Sequence, residues 1–155
     1  MIVKAAAKIN LMLDIVGKLP NGYHSLFMIM QSVSCYATVR VDRTGENGIK
    51  IISSDERVPK DEKNIAYKAA EAFFDYAGIS DRGIEIEISK KIPMAAGLAG
   101  GSADGAGVLY ILNRLYKTGF DEITICSIGE KVGADVPFSL TGGTSLCVDT
   151  GGGLL

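Results

Sequence analysis

No two cysteines among the 155 residues stand in C-x-x-C spacing. The three present, Cys35, Cys126 and Cys147, are odd in number and widely separated. That argues against a disulfide framework and a thiolate zinc site, and predicts reduced thiols in a cytoplasmic protein. No run of 18 apolar residues occurs, so no membrane span is expected. The apolar start, MIVKAAAKINLML, is interrupted by Lys8 and Asn10 and followed by Asp14, which the core of a signal peptide does not accommodate. An amphipathic first strand is expected there instead. A basic excess is missing too: the formal net charge is −2 and the pI near 5.4, which argues against a nucleic-acid partner. The single histidine, His24, permits a Ser-His-Asp triad by count, but no G-x-S-x-G elbow accompanies it.

What is present is enough for one ordinary domain, with 47% apolar residues to build a core and 22% charged. Residues 2–16 read as a strand, and GKLPNGYH (17–24) carries a Pro-Asn-Gly turn. Residues 25–42 are apolar and partly β-branched, and SVSCYATVRV (32–41) within them reads as a strand with loose alternation. DRTGENG (42–48) reads as a turn, with IKII (49–52) as its returning strand. A polar loop covers 53–64. Ile65, Ala69, Ala70, Phe73, Phe74 and Ala77 share one face of a helix predicted over 62–77, with Asp61 and Glu62 at its start and Gly78 at its end. In GIEIEIS (83–89), Ile84, Ile86 and Ile88 face one way and Glu85 and Glu87 the other. Further helices are expected at 102–116, with Ser102 as N-cap and Leu109, Leu112, Leu115 and Tyr116 inward, and near 121–132, stopping at Gly133. TSLCV (144–148) reads as the last strand. Strands both before and between helices predict an α+β, two-layer fold.

KIPMAAGLAGGSADGAG (91–107) holds five glycines between a strand and a helix. Helix N-termini offer unpaired N–H groups and a positive dipole end, and preceding glycines let the backbone curl more N–H groups to one point. That combination binds phosphate. The stretch is neither a Walker A motif nor G-x-G-x-x-G, because no Lys-Ser or Lys-Thr pair follows and Ala99 stands where a second glycine is needed. On its own it reads equally as a plain turn or a ligand site. Lys90 and Lys91 at its mouth and the length from Pro93 to Ser102 favour the ligand site. Gly105 and Gly107 fall inside the helix, where each costs about 1 kcal/mol against alanine, with packing against a sheet as one explanation.

Other residues are ambiguous singly. Lys8 and Asn10 share a face of the first strand. Asp135, in GADVPF, sits where turn and cap residues are common. Tyr23 is free to stack on a flat ring or to join the core. Together, however, KINLMLDIVGKLPNGYHSL…MQSVS, PMAAGLAGGSADGAG and GADVPF resemble, in order and spacing, the amino-terminal part of the GHMP small-molecule kinases, over nearly the whole chain. KIN with NGYH narrows the resemblance to members that act on a cytidine-diphosphate-linked methylerythritol in the non-mevalonate route to isoprenoid precursors.

The resemblance implies the two-layer α+β amino-terminal domain shared with a domain of ribosomal protein S5. It implies ATP as co-substrate, with Mg²⁺, and phosphoryl transfer to the 2-hydroxyl of that small molecule. By the same resemblance Asp135 is the catalytic carboxylate and Lys8 offsets developing negative charge beside it. Asn10 contacts substrate or places the pair, Tyr23 stacks on the cytosine and His24 bonds its edge. Pro93, Ala95, Ala96, Gly97, Leu98, Ala99, Gly100, Gly101 and Ser102 wrap the ATP phosphates, and Asn64 and Lys90 meet the nucleotide. Ser102 is the one conceivable metal contact.

Ala99 replaces a glycine seen in many members, and Gly105 and Gly107 stand where alanines are usual. The family's chains carry a second, carboxy-terminal domain, so these 155 residues are expected to be an amino-terminal portion whose own turnover is in doubt. The alternatives are an inert fragment that binds nucleotide weakly, a GHMP kinase for another small alcohol, and, by fold analogy alone, an RNA-binding module. The sequence assigns no oligomeric state.

Overall fold

The computed structural model describes residues 1–18, 24–149 and 153–154. Its elements in chain order are β1 (Ile2–Lys18), β2 (His24–Arg43), β3 (Ile49–Ser53), α1 (Ile65–Ala77), β4 (Ile84–Ser89), α2 (Gly100–Leu115), α3 (Glu122–Glu130), α4 (Val136–Thr141), β5 (Thr144–Asp149) and β6 (Gly153–Leu154). β2 is the spine. One edge pairs antiparallel with β1, from Ile2↔Arg40 to Lys18↔His24, with register shifts at Ala6/Ala7, Asn10/Met12 and Ile15/Gly17. The other edge is shared: Thr38–Arg43 pair with β4 and Leu26–Gln31 with β5. β3 and β6 complete the order β3-β4-β2-β5-β6. The α+β expectation holds. No helix among the described residues is long and apolar enough to cross a membrane.

β3 is not the returning arm of a hairpin on β2. It lies parallel to β4, and β4 separates the two. The link between Arg43 and Ile49 is long enough to step over one intervening strand, about 10 Å. Backbone bonds Thr44 N–H to Gly83 C=O (2.8 Å) and Ile84 N–H to Gly48 C=O (3.0 Å) seat β4 in that gap. The position suits β4, whose Ile84, Ile86 and Ile88 are fully buried. β3, α1 and β4 thus form a βαβ unit.

Helix boundaries differ from the sequence reading where side chains found other partners. α1 starts three residues later than expected, because Asn64 is the cap: its Oδ1 accepts from Ala66 N–H at 2.8 Å. Asp61 shapes the preceding turn, its carboxylate accepting from Lys63 N–H. Gly78 ends α1 with φ 64°, as expected. α2 starts two residues early, and Ser102 lies in its first turn rather than capping it. α3 is capped by Asp121, whose Oδ1 accepts from Thr124 N–H. α4 and the short β6 were not foreseen. α4 begins with Pro137 near its N-terminus, where a missing N–H costs nothing.

The core lies between the sheet and α1 and α2. Phe73 and Phe74 meet edge-on at 6.0 Å, and Phe74 meets Tyr116 at 5.3 Å. The two helical glycines have separate reasons. A Cβ on Gly105 would come within 2.9 Å of Ile65 Cγ2, so Gly105 sets the closeness of α1 to α2, not of helix to sheet. On Gly107 it would come within 3.2 Å of Val39 and 3.3 Å of Val3, so there the sheet is the neighbour.

Candidate active site

The segment between β4 and α2 turns on alternate residues: Ala95, Gly97 and Ala99 have φ of 57°, 72° and 53°. Alternation of this kind directs successive N–H groups into one concavity, a nest for anions. For the two alanines it costs about 1 kcal/mol each. The nest borders a cleft of about 340 Å³. Asn64, Lys90, Pro93 and residues 95–102, all expected at a nucleotide, line it. Two helices begin at this cleft. A Cβ on Gly101 in α2 would stand 3.2 Å from Ile65, the first residue of α1, so both positive helix ends converge.

The cleft also holds residues that the sequence did not place at the site, among them Val58, Lys63, Ile65 and Asp104. Asp104 is the most consequential. Its Oδ2 lies 2.5 Å from Lys90 Nζ, with both side chains nearly fully buried. Lys90 Nζ also donates to Gly100 C=O at 2.7 Å. A Cβ on Gly100 would sit 3.0 Å from that ammonium and 3.1 Å from Ile92 Cγ2, so an alanine there would press on both. Asp104 Oδ1 is buried without a partner among the described residues. Burial pushes the Asp104 carboxyl above its ordinary range, with Lys90 opposing. Asn64 is likewise engaged, donating from Nδ2 to Pro59 C=O at 2.6 Å while capping α1. The local signal for Asp104 was a carboxylate set among Ala and Gly on the inward part of a helix.

The second cluster joins β1 to the start of α4. Lys8 Nζ lies 3.7 Å from Asp135 Oδ2 and donates to Asn10 Oδ1 at 3.1 Å. Lys8 is buried, its side chain 8% exposed, whereas Asp135 is 29% exposed and open to a ligand. Asp135 is held from behind, since its C=O accepts from Ser139 N–H and Oγ. Lys8 N–H donates to Leu98 C=O at 3.2 Å, which ties the pair's strand to the nest. Ser102 Oγ faces the turn before Asp135, 3.9 Å from where a Cβ on Gly133 would lie, and has no hydrogen-bond partner among the described residues. Cys147 is buried near the pair. Burial pushes its thiol up, Asp135 adds to this and Lys8 opposes it.

The structure therefore brings Lys8, Asn10 and Asp135 together and links them to the loop. Tyr23 lies outside the described residues. His24 opens β2, and its side chain is also outside what is described. Among the described residues no three His, Cys, Asp or Glu side chains gather as a metal site. The arrangement can hold a polyanion in the cleft and orient a hydroxyl at Asp135.

The family profile described as GHMP kinases N terminal domain matches residues 64–143. Over 149 residues the chain is 48% identical to the 4-diphosphocytidyl-2-C-methyl-D-erythritol kinase of Clostridium acetobutylicum, covering 96% of this chain and 52% of that protein. The like-named kinase of Caldicellulosiruptor saccharolyticus is 44% identical, with 97% and 52% covered. The chain spans about half the length of the curated relatives it matches. Among solved structures, a 4-(cytidine 5'-diphospho)-2C-methyl-D-erythritol kinase superposes with TM-score 0.83 at 33% identity, covering 100% of this chain and 54% of the other. The mevalonate kinase of Methanococcus jannaschii, at 18% identity and TM-score 0.75, shares the fold over all of this chain and 55% of its own.

Proposed function

The chain belongs to the GHMP kinases, and on that premise we propose that the protein transfers the γ-phosphoryl group of ATP to the 2-hydroxyl of a cytidine-diphosphate-linked methylerythritol, in the cytoplasm, as a step toward isoprenoid precursors. Relatives at 44% to 48% identity carry the name of that activity. The observation that carries the reading is the Lys8–Asp135 pair at 3.7 Å, bonded through Lys8 N–H to the anion-binding loop. The activity is assigned to the protein at its relatives' length, and its nucleotide and catalytic parts to these residues.

Phosphoryl transfer asks for positioning and charge stabilisation more than for covalent help. The nest and the first turn of α2 hold the phosphates by N–H groups. Asp135 accepts the hydrogen bond of the hydroxyl and turns its oxygen toward the γ-phosphorus. The new O–P bond forms as the bond to ADP breaks, and the hydroxyl proton passes to Asp135. Lys8 offsets the negative charge that gathers there, and Asn10 holds the ammonium in line. Tyr23 and His24 take the cytosine. Magnesium, where it accompanies the nucleotide, would supply neutralisation of phosphate charge. Such an ion needs few protein ligands beyond phosphate and water, and Ser102 Oγ, without a hydrogen-bond partner among the described residues, would be its protein contact.

The test is phosphoryl transfer by the full-length protein, followed by ³¹P NMR, for wild type and Asp135→Asn. The variant should lose about 10²- to 10⁴-fold in kcat with little change in KM for ATP. Unchanged turnover removes Asp135 from the mechanism.

A further inference from the structure

Among the described residues two cations line the cleft, Lys63 and Lys90, and they are in opposite states. Lys90 is spent inside the fold on Asp104 and the Gly100 carbonyl. Turning it toward a ligand would leave Asp104 buried with both oxygens unpartnered, since Oδ1 already has no partner. A lone buried carboxylate of that kind is strongly destabilising. Lys63 is exposed, stands one residue before the cap of α1, and makes no ion pair or side-chain hydrogen bond with the described residues. Its ammonium is free where the N-terminal ends of α1 and α2 converge and the nest opens.

We propose that Lys63 is the cation that meets the nucleotide's phosphates in this cleft, and that Lys90 is a positioning residue that fixes the loop through Asp104 and Gly100. The proposal rests on the nucleotide reading above. It assigns the ligand-facing charge to a side chain on the polar approach to α1, in place of the lysine that the family resemblance put there.

Calorimetric titration of the full-length protein with a non-hydrolysable ATP analogue, and separately with adenosine, tests it. Lys63→Ala should weaken the analogue by about two- to fivefold at low salt, and Lys63→Glu by more. Lys63→Arg should bind as wild type does, and adenosine should not distinguish any of these proteins. The loss should fade at high salt, because the contact is exposed. Removal of the inner pair in Lys90→Met/Asp104→Leu should weaken the analogue by a similar factor at low and high salt, because it loosens the loop without removing the ligand-facing charge. Wild-type affinity in both Lys63→Ala and Lys63→Glu overturns the proposal and leaves the nucleotide reading standing. So does a loss of salt dependence confined to the Lys90→Met/Asp104→Leu protein. A wild-type protein that binds neither ligand overturns the reading and the proposal together.

Discussion

Along β1, Ala5 and Ala7 lie buried in the core near α2, while Leu11, Met12, Leu13, Ile15 and Val16 are from 44% to 60% exposed, on both faces of the same strand. Lys8 and Asn10 stand at the border between the two halves. On the inner side, helix packing, a buried ion pair and the bond from Lys8 N–H to Leu98 C=O hold the loop and the inner wall of the cleft. On the outer side, the arm that ends at Lys18 rests on backbone pairing with β2, and through it with β5. The loop end of the site, where the proposed function expects the nucleotide, is therefore preorganised by burial within these residues. The outer half of β1, where the proposed function expects the acceptor, is an arm whose apolar side chains make little use of the core.

The largest effect expected from this contrast is on stability. Phe73→Ala should lower the free energy of unfolding by about 3–5 kcal/mol, because a fully buried ring in the α1 layer is removed. Leu13→Ala, on the arm, should cost less than about 0.5 kcal/mol. Denaturant titration of both variants compares them directly, and equal losses would erase the distinction between the halves.

A smaller effect is expected where α1 meets α2. Gly105→Ala gains about 1 kcal/mol in helix propensity. It also forces a methyl to within 2.9 Å of Ile65 Cγ2, a branch on the Cβ that moves only with a change of χ1, which a helix restricts. Overpacking costs about 1–3 kcal/mol, so a net loss of about 1 kcal/mol is expected in the same titration. A gain would show that the cleft side of the core is less tightly packed than its glycines imply.

The smallest effect is in acid, beside the cleft. The Arg57 side chain, helped by its backbone N–H, holds the Asp55 carboxyl at about 2, below its ordinary 3.8. A lowered folded value contributes stability above 3.8 that is lost as pH falls toward about 2. Asp104 acts in the opposite sense, since its raised value gives a contribution present below 3.8 and lost as pH rises through the folded value. Arg57→Ala should therefore flatten the fall in melting temperature between pH 3.8 and 2. An unaltered slope would assign the acid sensitivity elsewhere.

Local pattern made part of this legible. The Ile/Glu alternation of β4, the left-handed Gly78 and the shared face of Lys8 and Asn10 all follow from neighbours within a few residues. Features set by distant partners were not. β3 chose β4 over β2 because of where the 84–88 isoleucines are buried. Asp104 reaches Lys90 across fourteen residues, and only the strand, loop and helix together bring them to one point. Gly105 and Gly107 looked like liabilities within one helix and became contacts once Ile65, Val39 and Val3 were in place. Ala95 and Ala99 carried no sign of left-handed backbone, since that conformation belongs to the nest as a whole.

Amide hydrogen exchange of the full-length protein, with and without a non-hydrolysable ATP analogue, tests the central claim most directly. Nucleotide should slow exchange in residues 94–102 and at the start of α1, and leave residues 11–18 of the arm unchanged. Protection confined to the arm, or a loop that exchanges alike in both states, would contradict a nucleotide site built at the meeting of these two helices.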